Sequence, residues 1–272
     1  MSQRRIPRWI GWPLLVIWTY LVLTFFANRA MFHPLPYPEG FWEVQEQLGA
    51  EDVWFETSDG VRIHGWMAPV PGDSEWLTIY LHGNGGNLTY RGAHLAAIRQ
   101  AGSGVLIVSY RGYGKSEGSP SEEGIYRDAD AAYDYLRARG VSAESIIIHG
   151  ESLGSAVAAA LASRRDCGGL VLEAPFPSAS AVADTLLPGI GRYIISGLET
   201  AEKIRNVHVP VLVIHGDRDD VIDYRLGVQV FEAANEPKQL WTVPGAHHND
   251  LVETAGAEYV KRLRAFYGSL RE

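Results

Sequence analysis

The sequence predicts an α/β protein, in which a mostly parallel sheet has helices on both faces and follows one N-terminal transmembrane helix. Three observations support this prediction. Short apolar runs alternate with helical stretches over most of the chain. One serine, Ser152, has a glycine two residues to either side and lies between such a run and an alanine-rich segment. Residues 9–27 contain no charged side chain.

The uncharged N-terminal stretch is the predicted membrane anchor. As a helix, residues 9–27 would span about 28 Å, close to the hydrocarbon thickness of a bilayer. Residues 1–8 contain three arginines, whereas only Arg29 closely follows the stretch. The positive-inside rule then leaves residues 1–8 in the cytoplasm and the main domain on the periplasmic or other extracytoplasmic side. A cleaved signal peptide is the alternative, but the small-x-small cleavage site expected after the apolar run is a poor match.

Length and composition limit the domains and partners of the chain after the N-terminal stretch. The 272 residues, 46% of them hydrophobic, suffice for one large domain, residues 51–272, after a linker over residues 28–50 that contains the proline-rich segment HPLPYPEG. The net charge of -8 offers no cationic surface to a phosphate backbone, so nucleic acid is not an expected partner. One cysteine, Cys167, excludes an intrachain disulfide and a cysteine-based metal cluster. The sequence leaves the oligomeric state open.

Eight short runs are the predicted strands. The first two flank the turn sequence SDG and predict a hairpin, and the other six are apolar on both faces and alternate with helices. This pattern indicates a parallel sheet that is covered on both sides, with functional sites at the carboxyl ends of its strands. The runs are Val53–Glu56, Val61–Trp66, Leu77–Leu81, Val105–Ser109, Ile146–His149, Leu170–Leu172, Val211–Ile214 and Leu240–Val243.

The segment Gly150–Gly154 follows the fifth run and fits the pattern G-x-S-x-G between a strand and a helix. A serine at this point could simply cap the following helix. Capping does not require two glycines, whereas a nucleophile on a sharp turn does, because the backbone passes too close to the adjoining strand and helix for a Cβ atom. Ser152 is therefore the predicted nucleophile.

A serine nucleophile needs a base and an acid, and after a G-x-S-x-G turn they follow in the order Ser, acid, His. The sequence PGAHHNDL offers His247 and His248 as bases, of which position weakly favours His248. Glu173, at the end of the sixth run, is one candidate acid. The others lie in the segment VLVIHGDRDDVID and are Asp217, Asp219, Asp220 and Asp223.

Several motifs in order resemble the α/β-hydrolases, specifically their small membrane-anchored branch of protein depalmitoylases and uncharacterised bacterial relatives. These motifs are LHGNGGN, YRGYGKSEGSPSEEGI, HGESLG, HGDRDDVI and GAHHND. The resemblance implies the α/β-hydrolase fold, Asp219 as the acid and His248 as the base, although the branch commonly has glycine where His247 stands. Leu153, directly after the nucleophile, can donate its backbone N–H to an oxyanion, and the resemblance implies Asn84 as the second donor.

The predicted protein is thus a membrane-anchored serine hydrolase that cleaves carboxylic ester or thioester bonds through an acyl-enzyme, without cofactor or metal. Residues 175–206 are the predicted cap, which is short and apolar and would suit a small-molecule or lipid-like acyl substrate. A serine peptidase of the same fold is the alternative enzyme. A catalytically silent binding module on the membrane is less favoured, because the serine, acid and histidine positions are all intact.

Two further patterns have plainer interpretations. The segment SYRGYGKS ends like a phosphate-binding P-loop, but Ser109 stands where the first glycine belongs and no helix-forming run follows directly. His82, His149 and His215 each end a predicted strand before a glycine and could face one edge of the sheet as zinc ligands. We expect instead that each imidazole braces its own turn.

Overall fold

The main domain contains one eight-stranded sheet. The computed structural model describes residues 13, 15–16, 18–22, 24 and 30–271. Its strands are β1 (Glu51–Glu56), β2 (Arg62–Ala68), β3 (Leu77–Leu81), β4 (Gly104–Ser109), β5 (Ile146–Glu151), β6 (Gly169–Glu173), β7 (Val211–Gly216) and β8 (Lys238–Val243). Their order in the sheet is β1-β2-β4-β3-β5-β6-β7-β8, and each corresponds to one of the eight predicted runs.

The strand directions give a mostly parallel sheet. β1 and β2 form an antiparallel hairpin, and β2 is also antiparallel to β4. All the remaining neighbours, from β4 through β3 and β5 to β8, are parallel. The carboxyl ends of β3, β5, β6 and β7 therefore lie along one edge of the sheet, where parallel sheets carry their functional sites. The predicted parallel sheet is confirmed.

Helices cover both faces of this sheet, as predicted. They are α1 (Val44–Leu48), α2 (Gly92–Ala101), α3 (Glu122–Arg137), α4 (Leu153–Ala162), α5 (Ala179–Leu186), α6 (Thr200–Lys203), α7 (Tyr224–Ala233), α8 (Leu251–Ala255) and α9 (Ala257–Ser269). Short 3₁₀ turns at Leu88–Arg91, Ala143–Ser145, Gly191–Tyr193 and Ile204–Asn206 connect them. At the start of α3, the Ser121 hydroxyl caps the helix by accepting the Gly124 N–H at 3.1 Å.

Two hydrophobic cores lie on the two faces of the sheet. Ile146 and Ile148 of β5 belong to the core under α3 and α4, whereas Ile147 belongs to the core under α2 and α9. Successive side chains of a strand point to opposite faces, so a strand buried on both sides must be apolar at every position. This requirement explains the uninterrupted run of three isoleucines.

The N-terminal stretch is described in part. Its described residues between 13 and 24 are helical, and the Tyr20 hydroxyl donates a hydrogen bond to the carbonyl oxygen of Tyr193 at 2.7 Å. Among the described residues, no helix is long and apolar enough to cross a bilayer. The predicted anchor over residues 9–27 lies in part outside the described residues, and residues 1–8 lie wholly outside them, so both stay predictions.

The linker is extended and lies along the main domain. Pro34 pairs with Gly86, and Pro36 pairs with Gly114, each as an isolated parallel bridge. Between them, the Leu35 N–H donates to the Gly86 carbonyl at 3.2 Å, and the Leu35 carbonyl accepts the Gly114 N–H at 3.0 Å. The proline-rich segment is therefore docked by backbone hydrogen bonds onto two loops of the domain.

The predicted cap, residues 175–206, is short and only partly packed. Phe176 and Leu198 are buried in the core below it. Other large apolar side chains of the cap remain more than half exposed, and these are Leu186, Leu187, Ile190 and Tyr193. The cap thus combines buried apolar residues with large apolar side chains that remain exposed.

Candidate active site

Ser152 lies on a sharp turn between β5 and α4. Its backbone has φ 53° and ψ -115°, a conformation that side-chain-bearing residues rarely adopt and that stores strain. The turn is held by a hydrogen bond from the Ser152 N–H to the Glu173 carbonyl at 2.8 Å. The adjoining Ser155 hydroxyl also donates to that carbonyl, at 2.8 Å, and to the Gly150 carbonyl at 2.9 Å.

The two flanking glycines are required by close backbone approaches. A Cβ atom on Gly150 would lie 2.2 Å from the Gly154 carbonyl oxygen, and one on Gly154 would lie 1.8 Å from the Leu81 carbonyl oxygen. Neither distance is compatible with a side chain, because both opposing atoms are backbone. The G-x-S-x-G spacing therefore reflects the packing of strand, turn and helix at Ser152.

His248 lies between Ser152 and Asp219. Its Nε2 atom is 3.1 Å from the Ser152 Oγ, and its Nδ1 atom is 2.8 Å from an Asp219 carboxylate oxygen. The neighbouring His247 instead has its Nδ1 3.6 Å from Asp220, with half of its side chain exposed. The structure thus brings together Ser152, His248 and Asp219 and leaves His247 at the surface.

The Asp219 carboxylate is fully buried and surrounded by donors. One oxygen accepts the N–H groups of Val221 and Ile222 at 2.9 and 2.7 Å, and the other lies 3.2 Å from the His215 Nε2. Burial raises the pKa of Asp219, but the hydrogen bonds from His215 and His248 outweigh it and bring the pKa below its ordinary value. Asp219 is therefore ionised at neutral pH and can orient the His248 imidazole.

The other candidate acids have different partners. Asp217 accepts the Gly245 N–H at 2.6 Å, and Asp223 accepts the Arg225 N–H at the start of α7. Glu173 is buried, and its carboxylate contacts His149, Tyr259 and, at 3.3 Å, His94. Among the described residues, none of these three carboxylates contacts the Ser152 or His248 side chain. Of the candidate acids in the described part of the chain, Asp219 is the one that contacts His248, and it is also the one that the resemblance implied.

Asn84, in the loop after β3, presents its backbone and its side chain to different surroundings. Its backbone N–H and that of Leu153 make no hydrogen bond to another described residue, and both residues line the cavity beside Ser152. The Asn84 side chain faces the linker: its Oδ1 accepts the His33 N–H at 3.0 Å and the Tyr113 hydroxyl at 2.9 Å, and its Nδ2 donates to Met31 at 2.6 Å. The sequence did not predict these contacts.

Ser152 and His248 open onto a cavity of about 1170 Å³. This volume exceeds the roughly 300–1,000 Å³ that is usual for small-molecule sites. The linker, the loop after β3 and the cap all contribute walls, and most of the lining is apolar. Large apolar residues on these walls include Met31, Leu35, Phe176, Val182, Leu186 and Ile195.

The histidines considered as zinc ligands have separate partners. His82 bonds through Nδ1 to the Gly83 carbonyl at 2.7 Å, His149 bonds to Glu173, and His215 contacts Asp219 and the Ile222 carbonyl. Across the described ranges, no group of side chains is arranged to hold a metal ion.

The segment that resembles a P-loop is likewise occupied by internal contacts. Lys115 binds Asp52 at 2.8 Å, and the Ser116 hydroxyl donates to the Ser109 carbonyl at 2.6 Å. The two groups that would face a phosphate in a P-loop therefore stabilise the packing of this loop on β1 and β4.

Comparisons with known proteins indicate the family of this chain. The family model described as "Serine aminopeptidase, S33" matches residues 72–188. An uncharacterised protein of Mycobacterium tuberculosis is 38% identical over 219 residues, which cover 79% of this chain and 78% of that protein. Alpha/beta hydrolase domain-containing protein 17C of Mus musculus is 34% identical over 226 residues, which cover 82% of this chain and 69% of that protein.

Among solved structures, an esterase of Pyrococcus furiosus superposes with a TM-score of 0.72 at 21% identity, over 88% of this chain and 98% of that one. At this identity the likeness shows the fold. The sequence relatives show the family. The chain therefore belongs to the α/β-hydrolase superfamily and is a serine hydrolase of the esterase type.

Proposed function

We propose that this enzyme hydrolyses ester or thioester bonds of acylated, lipid-like substrates at a membrane. The observation that carries the proposal is the chain of hydrogen bonds from Ser152 through His248 to Asp219, which opens onto a large apolar cavity. A nucleophile, a base and a buried acid in this order perform acyl transfer without any cofactor.

The proposed reaction has two halves. His248 Nε2 takes the proton of the Ser152 hydroxyl as Oγ attacks the acyl carbonyl, and the N–H groups of Asn84 and Leu153 bind the oxyanion. Collapse of the tetrahedral intermediate breaks the bond to the leaving alcohol or thiol, which receives the proton from His248. Water, deprotonated by His248, then attacks the acyl-enzyme, and the bond to Ser152 Oγ breaks as that oxygen takes the proton back from His248, which releases the acid. Asp219 stabilises the imidazolium in both halves.

The cavity supports an acyl chain as the group next to the carbonyl. Its apolar walls would bury methylene groups, each of which contributes about 0.8 kcal/mol when removed from water. Glu151 is the one carboxylate that lines the cavity within the described part of the chain, and it is paired with Arg91 at 2.7 Å. An ammonium group, such as the N-terminus of a peptide, would therefore find no free counter-charge there.

We expect catalytic efficiency on p-nitrophenyl esters to rise from acetate to medium acyl chains, by up to about fourfold per methylene. The rise should be smaller in Val182→Asn, which makes one cavity wall polar, than in Leu187→Asn, a cap variant outside the cavity. Measured kcat/KM values for a series of chain lengths check this. A kcat/KM that stays flat or falls with chain length in the wild type would contradict the proposed acyl pocket.

A serine peptidase is the second candidate, because the matching family model carries a peptidase description. It requires efficient cleavage of peptide amides at the same Ser152. The chain-length series therefore includes an aminoacyl p-nitroanilide, on which we expect barely detectable turnover. Efficient amidolysis that is lost in Ser152→Ala would replace the esterase proposal by the peptidase one.

We further propose that residues 9–27 anchor the enzyme in the membrane with its hydrolase domain on the extracytoplasmic side. The arginines before the stretch support this orientation. Tyr20, within this stretch, donates a hydrogen bond to the Tyr193 carbonyl of the cap, so the stretch and the cap are in contact.

The orientation predicts that protease added to sealed spheroplasts digests the hydrolase domain of the full chain. A cytoplasmic marker protein in the same sample is the control for sealing and should stay intact. Immunoblots of both proteins before and after detergent lysis measure the outcome. A domain that survives until detergent is added would reverse the proposed orientation.

A further inference from the structure

A buried ion pair forms part of the cavity wall and includes Glu151, the residue before the proposed nucleophile. The Glu151 carboxylate accepts the Arg91 Nε–H at 2.7 Å and the Tyr80 hydroxyl at 3.0 Å. Both charged side chains are almost nine-tenths buried. Sixty residues separate Glu151 from Arg91 in the chain, so the pair is a tertiary contact. The catalytic chain of Ser152, His248 and Asp219 does not use it.

Arg91 also reaches the loop that follows β3. Its second guanidinium arm donates to the Gly85 carbonyl at 3.2 Å. Gly83, at the other side of Asn84, packs against the same pair: a Cβ there would lie 2.8 Å from Glu151 and 3.0 Å from Arg91. One guanidinium therefore contacts the nucleophile turn with one arm and the Asn84 loop with the other.

We propose that Arg91 is a positioning residue that, together with Glu151, fixes the distance between the two N–H donors of the oxyanion hole. One donor, Leu153, lies two residues after Glu151, and the other, Asn84, lies between the two glycines that contact the ion pair. The inference rests on the proposed function, because it assigns Arg91 a part in forming the site that would bind the oxyanion.

The chemistry of the Arg91–Glu151 pair is suited to a rigid connection between the Ser152 turn and the Asn84 loop. Burial raises the pKa of Glu151, but the charge of Arg91 outweighs it and lowers the pKa to about 2, so both groups are charged at neutral pH. A guanidinium holds its donors in a fixed planar fork, whereas a lysine ammonium has one donor centre on a flexible stem. Only arginine can hold both segments at set positions with one side chain.

The test compares Arg91→Met, Arg91→Lys and Glu151→Gln with Asp128→Asn. The control variant alters another buried arginine–carboxylate pair, in which Asp128 accepts the Arg111 Nε–H at 2.9 Å and neither residue lines the cavity. Each variant is assayed for kcat and KM on p-nitrophenyl butyrate. Each is also titrated with a trifluoromethyl ketone, which binds Ser152 as a tetrahedral adduct and places its oxygen in the oxyanion hole.

We expect Arg91→Met to lower kcat by about 100-fold, the size of losing one oxyanion donor, and to change KM by less than about threefold. The inhibition constant of the ketone should weaken in parallel with kcat/KM, because both report binding of the oxyanion. Arg91→Lys and Glu151→Gln should fall between the wild type and Arg91→Met. Asp128→Asn should lose thermal stability while keeping kcat and the inhibition constant.

An unchanged kcat in folded Arg91→Met overturns the inference, and so does a fall in kcat with no change in ketone binding. If Arg91→Met does not fold, Arg91→Lys and Glu151→Gln decide by the same two measurements. Failure of the proposed function gives a different result, since the wild type itself would then neither hydrolyse the ester nor bind the ketone.

Discussion

Ser152→Ala is expected to lower esterase turnover by about 10⁶-fold and to abolish labelling by a fluorophosphonate probe. In the proposed mechanism the Ser152 hydroxyl attacks the carbonyl, and the same oxygen would attack phosphorus in the probe. The nearest hydrogen-bonded base, His248, lies 3.1 Å from that oxygen. Turnover is measured on a p-nitrophenyl ester, and labelling is measured by gel fluorescence on the purified full chain.

The matched control for this substitution is Ser163→Ala. Ser163 follows the last residue of α4, the helix that begins directly after Ser152, and its hydroxyl donates to the Ala160 carbonyl at 2.9 Å. The control should keep both turnover and labelling. Failure of the probe to label folded wild type would favour the catalytically silent binding module.

The strain at Ser152 makes this comparison informative. Alanine retains a Cβ atom, so the unusual backbone conformation and its energetic cost are the same in both proteins. Loss of activity in Ser152→Ala therefore reports the hydroxyl group alone. Ser152→Gly would also relieve the backbone strain, so a change in activity could not be separated from a change in stability.

The fold was predictable from the sequence because burial on both faces leaves a clear pattern. The three isoleucines of β5 belong to two different hydrophobic cores, and no polar residue could replace any of them without loss of packing. They are Ile146, Ile147 and Ile148. The position of Ser152 was predictable for a similar reason, since Gly150 and Gly154 are each forced by a backbone contact. Local sterics of this kind are visible in a short stretch of sequence.

The acid was harder to predict, because the aspartates around Asp219 are close together in the sequence. Asp219 is distinguished by a carboxylate that is completely buried among three nearby donor groups and that contacts His248. The contact with His248 depends on the approach of a loop 29 residues away. Neighbouring Asp217 and Asp220 bind a backbone N–H and a surface histidine instead. The family motif, and not the local chemistry, identified the residue.

The contacts around the oxyanion loop were not predictable from the residues. Arg91 and Glu151 are sixty residues apart, and an isolated arginine or glutamate in a sequence is usually solvated. Asn84 was assigned for its backbone N–H, whereas its side chain binds Met31 and His33 of the linker. Such pairings are decided by the tertiary fold and leave no periodic pattern.

The adjacent histidines provide the second large expected effect. His248→Ala should lower kcat by about 10⁵- to 10⁶-fold, because the nucleophile loses its base, while His247→Ala should change kcat by less than about threefold. The prediction follows from the 3.1 and 2.8 Å contacts of His248 to Ser152 and Asp219. His247, half exposed and 3.6 Å from Asp220, has no contact with either residue.

Both histidine variants are measured in parallel for kcat, for the rate of fluorophosphonate labelling and for thermal stability. The two substitutions remove the same side chain one residue apart, so each serves as the control for the other. Comparable melting temperatures would attribute the difference in kcat to chemistry. If His247→Ala is the inactive variant, the base has been assigned one residue too late, and the loop that carries both histidines must rearrange to bring His247 to Ser152 when substrate binds.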